Sequence, residues 1–201
     1  MKNQPKLFLF ILSGIIYFQN TVFAQITDSD KKRMRKEATD CVESYFIALN
    51  QIGSTGKIDQ VWRDSDIEYL IKNYLESSDV AIYNDLDRKP TGIDFMEAKK
   101  YLNTIHEKYP LGVKFTKKMN LKEPCFKGVG SKKFFIVIVE VEKTLSGTNN
   151  ADGGILNKTD SLNIYVKFPV LQLKPKLQTG KPVIYSILPH AETFCVVEEE
   201  E

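Results

Sequence analysis

The residues of this chain that could transfer protons are few. General acid/base catalysis usually employs a histidine or a carboxylate held in a pocket, and the chain contains two histidines. His106 comes at the end of a predicted helix, where a positive charge suits the helix dipole, so we interpret it as a surface residue. His190 follows Pro189, after the last predicted strand. Neither position predicts a catalytic base.

The carboxylates give no clearer signal. Glu140 and Glu142 lie near the end of a predicted strand, where a solvated strand edge explains them. Asp79, Asp85 and Asp87 could offer oxygen ligands to a hard cation, but they fall in a segment whose composition already predicts a turn. We therefore predict neither a metal site nor a cofactor.

Motifs for nucleophilic catalysis and for phosphate binding are absent from the sequence. The chain has no Gly-x-Ser-x-Gly motif. Gly-Val-Gly at 128–130 lacks the rest of a phosphate-binding fingerprint and is better interpreted as a hairpin turn. Lysine pairs at 117–118 and 132–133 could bind an anionic polymer, but we prefer the interpretation that they protect strand edges against aggregation. No motif specifies a reaction.

The three cysteines leave an open question. Cys41 lies on the apolar stripe of a predicted helix, which predicts a buried small side chain rather than a reactive thiol. Cys125 and Cys195 lie near predicted strand ends and form a candidate disulfide in an oxidising compartment. Because the count is odd, at least one cysteine stays free or pairs between chains.

The first 24 residues predict the localisation of the protein. Lys2 and Lys6 precede an apolar run over 7–17, and Ala24 follows at a position that a signal peptidase recognises. The run is shorter than the roughly 20 residues that cross a bilayer, so residues 1–24 predict a cleavable signal peptide and no stable membrane anchor. We expect cleavage between Ala24 and Gln25 and a periplasmic or secreted product.

Loss of the signal peptide also changes the charge. The full chain has 28 basic and 26 acidic residues, and cleavage would remove Lys2 and Lys6 and make the two numbers equal. A neutral mature protein gives no support for binding to nucleic acid. The remainder has the length of a single α+β domain, which we place at 25–197, followed by an acidic tail at 198–201 that we expect to be disordered.

Hydrophobic periodicity predicts helices first and strands later. A capping box at Thr27 and Asp30 opens the first helix, a second apolar stripe covers 67–75, and a third helix is predicted over 94–108. Beyond that helix the period changes to two, which is typical of strands. The strand that begins at Phe134 is apolar on both faces, so we predict it to be central in an antiparallel meander.

Three side chains of that strand, Phe134, Ile136 and Ile138, alternate with the valines that should face the core. They would lie on the opposite, exposed face of the sheet, where a cluster of large apolar side chains commonly marks a contact with another protein. We therefore predict an interface there, either in a homodimer or with a different partner.

Two segments resemble a known family. The helical segment 42–49, Val-Glu-Ser-Tyr-Phe-Ile-Ala-Leu, and the segment 67–86, where an Ile-Glu-x-Leu-Ile helix leads into a strand, are similar to the cystatin-like superfamily, which includes nuclear transport factor two and the SnoaL-like proteins. The order of predicted elements agrees with that superfamily over 34–188. The resemblance implies an α+β fold in which three N-terminal helices pack on a curved antiparallel sheet of four to six strands, shaped like a cone.

The resemblance implies several functions rather than one. Family members use the cone as an enzyme pocket, as a small-ligand site or as an inert core, and the enzymes commonly place a carboxylate or histidine inside it with a tyrosine nearby. Because the sequence shows no acid/base set, our first hypothesis is an exported, non-catalytic module that binds a small ligand or another protein of the cell envelope. A small-molecule isomerase or dehydratase that uses the cone is the alternative, and an immunity or inhibitor protein is a third hypothesis.

Overall fold

The computed structural model describes residues 26–54, 60–87, 94–119, 125–128, 134–148, 153–172 and 176–190. The predicted signal peptide with its cleavage site at Ala24 and Gln25, Cys195, and the acidic tail lie outside these described residues. The side chain of Cys125 lies outside them as well, so the disulfide stays a prediction.

Three helices and eight strands make up the described part of the chain. The helices are α1 (Asp28–Ser54), α2 (Gln60–Tyr74) and α3 (Ala98–Lys108). The strands are β1 (Ala81–Tyr83), β2 (Phe95–Glu97), β3 (Val113–Met119), β4 (Cys125–Gly128), β5 (Phe134–Thr148), β6 (Ile155–Gln172), β7 (Gln178–Thr179) and β8 (Val183–Pro189). Among the described residues, no helix is both long and apolar enough to cross a membrane.

The first helix forms where the sequence predicts it. Thr27 Oγ1 accepts a hydrogen bond from the backbone N–H of Asp30 at 3.1 Å and donates one to the Asp30 carboxylate at 2.6 Å, which confirms the capping box. The apolar ladder of α1 is buried, and its members are Met34, Ala38, Cys41, Val42, Tyr45, Phe46, Ala48, Leu49 and Ile52. This helix packs on α2 and on β3.

The strands form a curved sheet whose main path has the order β2-β1-β8-β6-β5-β3, with the short strands β4 beside β5 and β7 beside β6. β5 and β6 make a long hairpin, paired from Phe134 opposite Pro169 to Thr148 opposite Ile155. β3 and β8 pair antiparallel on the two sides of this hairpin. The three helices pack on the sheet, which confirms the α+β class and the cone-like architecture.

Two details differ from the prediction. β1 pairs with β8 in parallel, Ala81 opposite Ser186, so the sheet is mixed rather than wholly antiparallel. No hairpin joins these two strands, and therefore no tight turn imposes an antiparallel arrangement. The third helix begins at Ala98 rather than at 94, because Phe95–Glu97 forms β2 and pairs with β1.

Candidate functional site

Three polar side chains meet between the helices and the sheet. The ammonium nitrogen of Lys143 is 2.6 Å from Oδ2 of Asp85 and donates a hydrogen bond of 2.6 Å to the Tyr101 hydroxyl. That hydroxyl donates in turn to Oδ1 of Asp85 at 2.7 Å. Asp85, Tyr101 and Lys143, here called the buried triad, are 1%, 0% and 3% exposed.

Each member of the triad comes from a different element. Lys143 has the same parity on β5 as Val139 and Val141, so the alternation of the strand turns it toward the core. Asp85 follows β1 where the chain leaves the sheet, and Tyr101 lies near the start of α3. Tertiary packing rather than local sequence therefore brings the three together.

Aromatic rings enclose the charge of Lys143. Its Nζ atom lies 4.7 Å from the ring centre of Phe115, a distance at which a ring face attracts a cation, and it contacts Tyr101 through the hydroxyl group. Tyr109 is also buried, and its hydroxyl donates to the backbone carbonyl of Leu86 at 2.8 Å, one residue after Asp85. The ammonium group thus exchanges its hydration for two oxygen atoms and the ring of Phe115.

Burial keeps the tyrosines of this region protonated. Burial raises the pKa of Tyr101 well above its usual value, and the negative charge of Asp85 adds to that effect. Burial and, to a smaller extent, the charge of Asp85 also raise the pKa of Tyr45. The Tyr101 phenol is therefore a hydrogen-bond donor to Asp85 at neutral pH.

Further polar contacts fix the chain beside Asp85. The side-chain amide of Asn84 donates to the carboxylates of Asp87 and Asp94, each at 3.0 Å. Asp87 also forms an ion pair with Lys108 at the end of α3, and the hydrogen bond from that lysine lowers the pKa of the Asp87 carboxyl. The segment that carries Asp85 is therefore tied to α3 as well as to the sheet.

Lysine, aspartate and tyrosine are side chains that enzymes use for proton transfer. In the triad, however, these groups contact one another, and none of the three residues is more than 3% exposed. A catalytic group has to touch its substrate. In this conformation the triad has the properties of a structural ion pair, in which direct contact and hydrogen bonds offset the loss of hydration.

The carboxylates of this region form ion pairs with lysines and do not form a set of metal ligands. Asp85 is paired with Lys143 and Asp87 with Lys108, while Asp79 is exposed. Among the described residues, no group of three or more His, Cys, Asp or Glu side chains could hold a metal ion.

A separate pocket lies between α2 and α3. It has a volume of about 360 Å³, and its lining residues are Arg63, Asp64, Asn103, His106 and Glu107. The three lining residues from α3 are spaced by three and four positions, so they share one face of that helix. His106 is half-buried rather than a surface residue, and burial together with the charge of Arg63 lowers the pKa of its imidazole.

The predicted interface residues Phe134, Ile136 and Ile138 are not members of the core cluster, in contrast to the valines with which they alternate. Their exposure is unequal. Phe134 and Ile136 are half-buried, whereas Ile138 is 3% exposed; it is flanked on both sides by β4 and β6. Ile138 is therefore not an exposed contact residue, and the candidate surface is reduced to Phe134 and Ile136.

The other residues singled out in the sequence have structural contacts. The backbone N–H of His190 donates to the carbonyl of Ser161 at 2.8 Å, and its ring Nδ1 lies 3.1 Å from Oδ1 of Asn163. Cys41 is buried, as predicted. Burial raises the pKa of its thiol to about 11, which makes it a poor nucleophile at neutral pH.

Sequence reasoning missed Lys143, and it considered Asp85 only as a possible ligand of a cation. A signal for Lys143 exists, because it continues the inward alternation of Val139 and Val141, and a lysine at such a position needs a buried partner. Asp85 carries no comparable signal, since a turn explains its residue type equally well. Tyr101 lies on the apolar stripe of α3, but nothing local identifies its partner.

No protein-family model matches the chain, and no curated protein matches it at a significant level. Among solved structures, the chain is similar to a protein assigned as a polyketide cyclase from Xanthomonas campestris pv. campestris, with 14% identity, a TM-score of 0.31, and coverage of 78% of this chain and 91% of that chain. It is also similar to the β subunit of a protein assigned as an aromatic-ring-hydroxylating dioxygenase from Novosphingobium aromaticivorans, with 11% identity, a TM-score of 0.39, and coverage of 82% and 95%. Likeness at this level carries no argument about activity. By its own element order, three helices on one curved sheet, the chain has an α+β architecture.

Proposed function

We propose that the protein is an exported, non-catalytic binding module of the cell envelope. The observation that carries this proposal is the closed state of the buried triad, in which Lys143 and Asp85 approach to 2.6 Å and neither is more than 3% exposed. An isomerase or dehydratase needs a proton-transferring group that opens into a pocket. Here those groups stabilise each other instead.

The packing around the triad supports the same conclusion. The largest side chains of the interior are fully buried, among them Tyr45, Tyr109, Phe115 and Phe168. Of these, Phe115 contacts Lys143 and Tyr109 contacts the residue after Asp85, so these two side chains cover polar groups that a substrate would have to reach. An interior of this kind serves as a support for surfaces that bind.

Support for export comes from the sequence alone. The basic start, the short apolar run and the small residue Ala24 are typical of a cleaved signal peptide. Amino-terminal sequencing of the protein recovered outside the cytoplasm tests this part of the proposal, and Gln25 is the expected first residue.

Lys143 should resist chemical modification in the folded protein. Acetylation of amines requires contact with the reagent, so Lys143 should react only when the structure opens, whereas the side chain of Lys118 is 80% exposed. Brief acetylation of the native protein followed by peptide mass spectrometry measures both rates. We expect Lys143 to react at least about a hundredfold more slowly, since exposing a core residue requires opening of the core.

Equal rates for the two lysines would contradict the closed interior. That result would favour the alternative, a small-molecule isomerase or dehydratase that uses the cone. The observation in favour of this alternative is the hydrogen bond from Tyr101 to Asp85, because a carboxylate with a neighbouring tyrosine is the arrangement that the resemblance implies for such enzymes.

Ile136 allows a test of the outer sheet face as a binding surface. If this face joins two copies of the chain, the protein should have the mass of a dimer, and Ile136→Asp should make it monomeric because the contact would bury an unpaired charge. Light scattering after size exclusion measures the mass, and circular dichroism checks the fold. Leu111→Asp is the control, because Leu111 is 75% exposed in the turn between α3 and β3. A monomeric wild type would exclude the dimer contact.

A further inference from the structure

The pocket between α2 and α3 has an unusual composition. All five lining residues are polar or charged: Arg63, Asp64, Asn103, His106 and Glu107. Its volume of about 360 Å³ lies within the range of small-ligand sites. The pocket is separate from the buried triad, because the residues of α3 that line it are not those that face the core.

Two of the lining residues have unpaired nitrogen atoms. Nε of Arg63 and Nε2 of His106 are shielded from solvent, and neither has a hydrogen-bond partner among the described residues. Buried polar atoms without partners are rare, and an ion or ligand that the structure does not contain is one of the ordinary explanations for them. The guanidinium of Arg63 offers the planar set of donors that suits a carboxylate.

Two further lining residues have carboxylates. Asp64 follows Arg63 on α2, and Glu107 follows His106 on α3, so each helix contributes one acidic and one nitrogen-bearing residue. A simple anion would be repelled by the two acids, and a simple cation by Arg63. A small molecule with both charges satisfies both sets of residues.

We propose that this pocket binds a small zwitterion of the free α-amino acid class, with its carboxylate toward Arg63 and His106 and its ammonium group toward Asp64 and Glu107. The proposal deepens the binding module proposed above by naming a ligand class, and it uses a site that neither the triad nor the sheet face shares. Its failure would therefore leave the acetylation and dimer results unaffected.

Glycine and acetate provide matched probes, because they share a carboxylate and only glycine has an ammonium group. The chain has two histidines, so the imidazole resonances of the full protein can be assigned with a single His106→Gln variant. Glycine should shift the resonances of His106 and leave those of His190 unchanged. Because a bound carboxylate adds a negative charge beside the imidazole, the pKa of His106 should rise by about one unit. Acetate should bind more weakly than glycine.

Three variants test the contributions of the nitrogen-bearing residues and of the carboxylates. Arg63→Gln should weaken glycine binding about tenfold or more, since it removes a charged hydrogen-bond donor. Glu107→Gln should reduce the advantage of glycine over acetate, because it removes one of the two carboxylates that face the ammonium group. Arg33→Gln is the control, because Arg33 lies on α1 and pairs with Glu37 instead. The proposal is overturned if glycine leaves His106 unchanged, if acetate binds as well as glycine to the wild type, or if Arg63→Gln has no effect.

Discussion

Replacement of Lys143 by methionine is expected to lower the free energy of unfolding by about 3–5 kcal/mol, the usual cost of removing one partner from a buried ion pair. The Asp85 carboxylate would keep its hydrogen bond from Tyr101 and lose its cation at 2.6 Å. Methionine fills a similar volume, so the loss reports on charge rather than on a cavity. Urea unfolding followed by circular dichroism measures it.

Two further variants make this result specific. Lys118→Met removes an exposed lysine on β3 whose ion pair with Glu142 is 3.5 Å long, so its effect should stay below about 1 kcal/mol. Asp85→Asn in the Lys143→Met background removes the unpaired negative charge of residue 85 and leaves an acceptor for the Tyr101 hydroxyl. This double variant should recover part of the lost stability. If Lys143→Met were as stable as Lys118→Met, the triad would not be the ion pair described above.

Gly53→Ala is expected to destabilise the protein by about 3 kcal/mol, at the upper end of the usual range for overpacking a core. A Cβ atom on Gly53 would lie 2.4 Å from the backbone carbonyl oxygen of Val113 and 3.2 Å from the Phe115 ring. The carbonyl belongs to β3 and cannot rotate away as a side chain would, so the end of α1 would have to move off the sheet. Thermal unfolding of the variant measures the cost.

Gly180→Ala is the matched control for this prediction. A Cβ there would be no closer than 3.5 Å to its nearest neighbour, Pro169, which is an ordinary van der Waals contact. We expect its unfolding temperature to stay close to that of the wild type. Equal effects of the two substitutions would mean that the approach of α1 to β3 is looser than the structure indicates.

Local signals in the sequence account for the elements that were predicted correctly. The capping box at Thr27 and the apolar ladder of α1 are properties of consecutive residues, and both have the predicted form. β2 was missed because it has three residues and directly precedes α3, so no alternation can develop. The parallel pairing of β1 with β8 depends on residues far apart in sequence, which no periodicity reports.

The site was less predictable than the fold for the same reason. The parity of Lys143 on β5 indicates an inward side chain, but its partner lies after β1, and only the packed sheet and α3 bring the two together. Exposure was equally hard to predict. Ile138 has the parity of an outward residue, and it is nevertheless 3% exposed.

The position of β8 has a consequence for folding kinetics. This strand follows every other described strand along the chain, yet it lies between β1 and β6 in the sheet. Its contacts, such as Ala81 with Ser186, join residues far apart in sequence and therefore raise the contact order. Such contacts slow folding, because chain entropy is lost in closing long loops before the contacts compensate for it. A chain emerging from the ribosome cannot complete this sheet until its last strand is available.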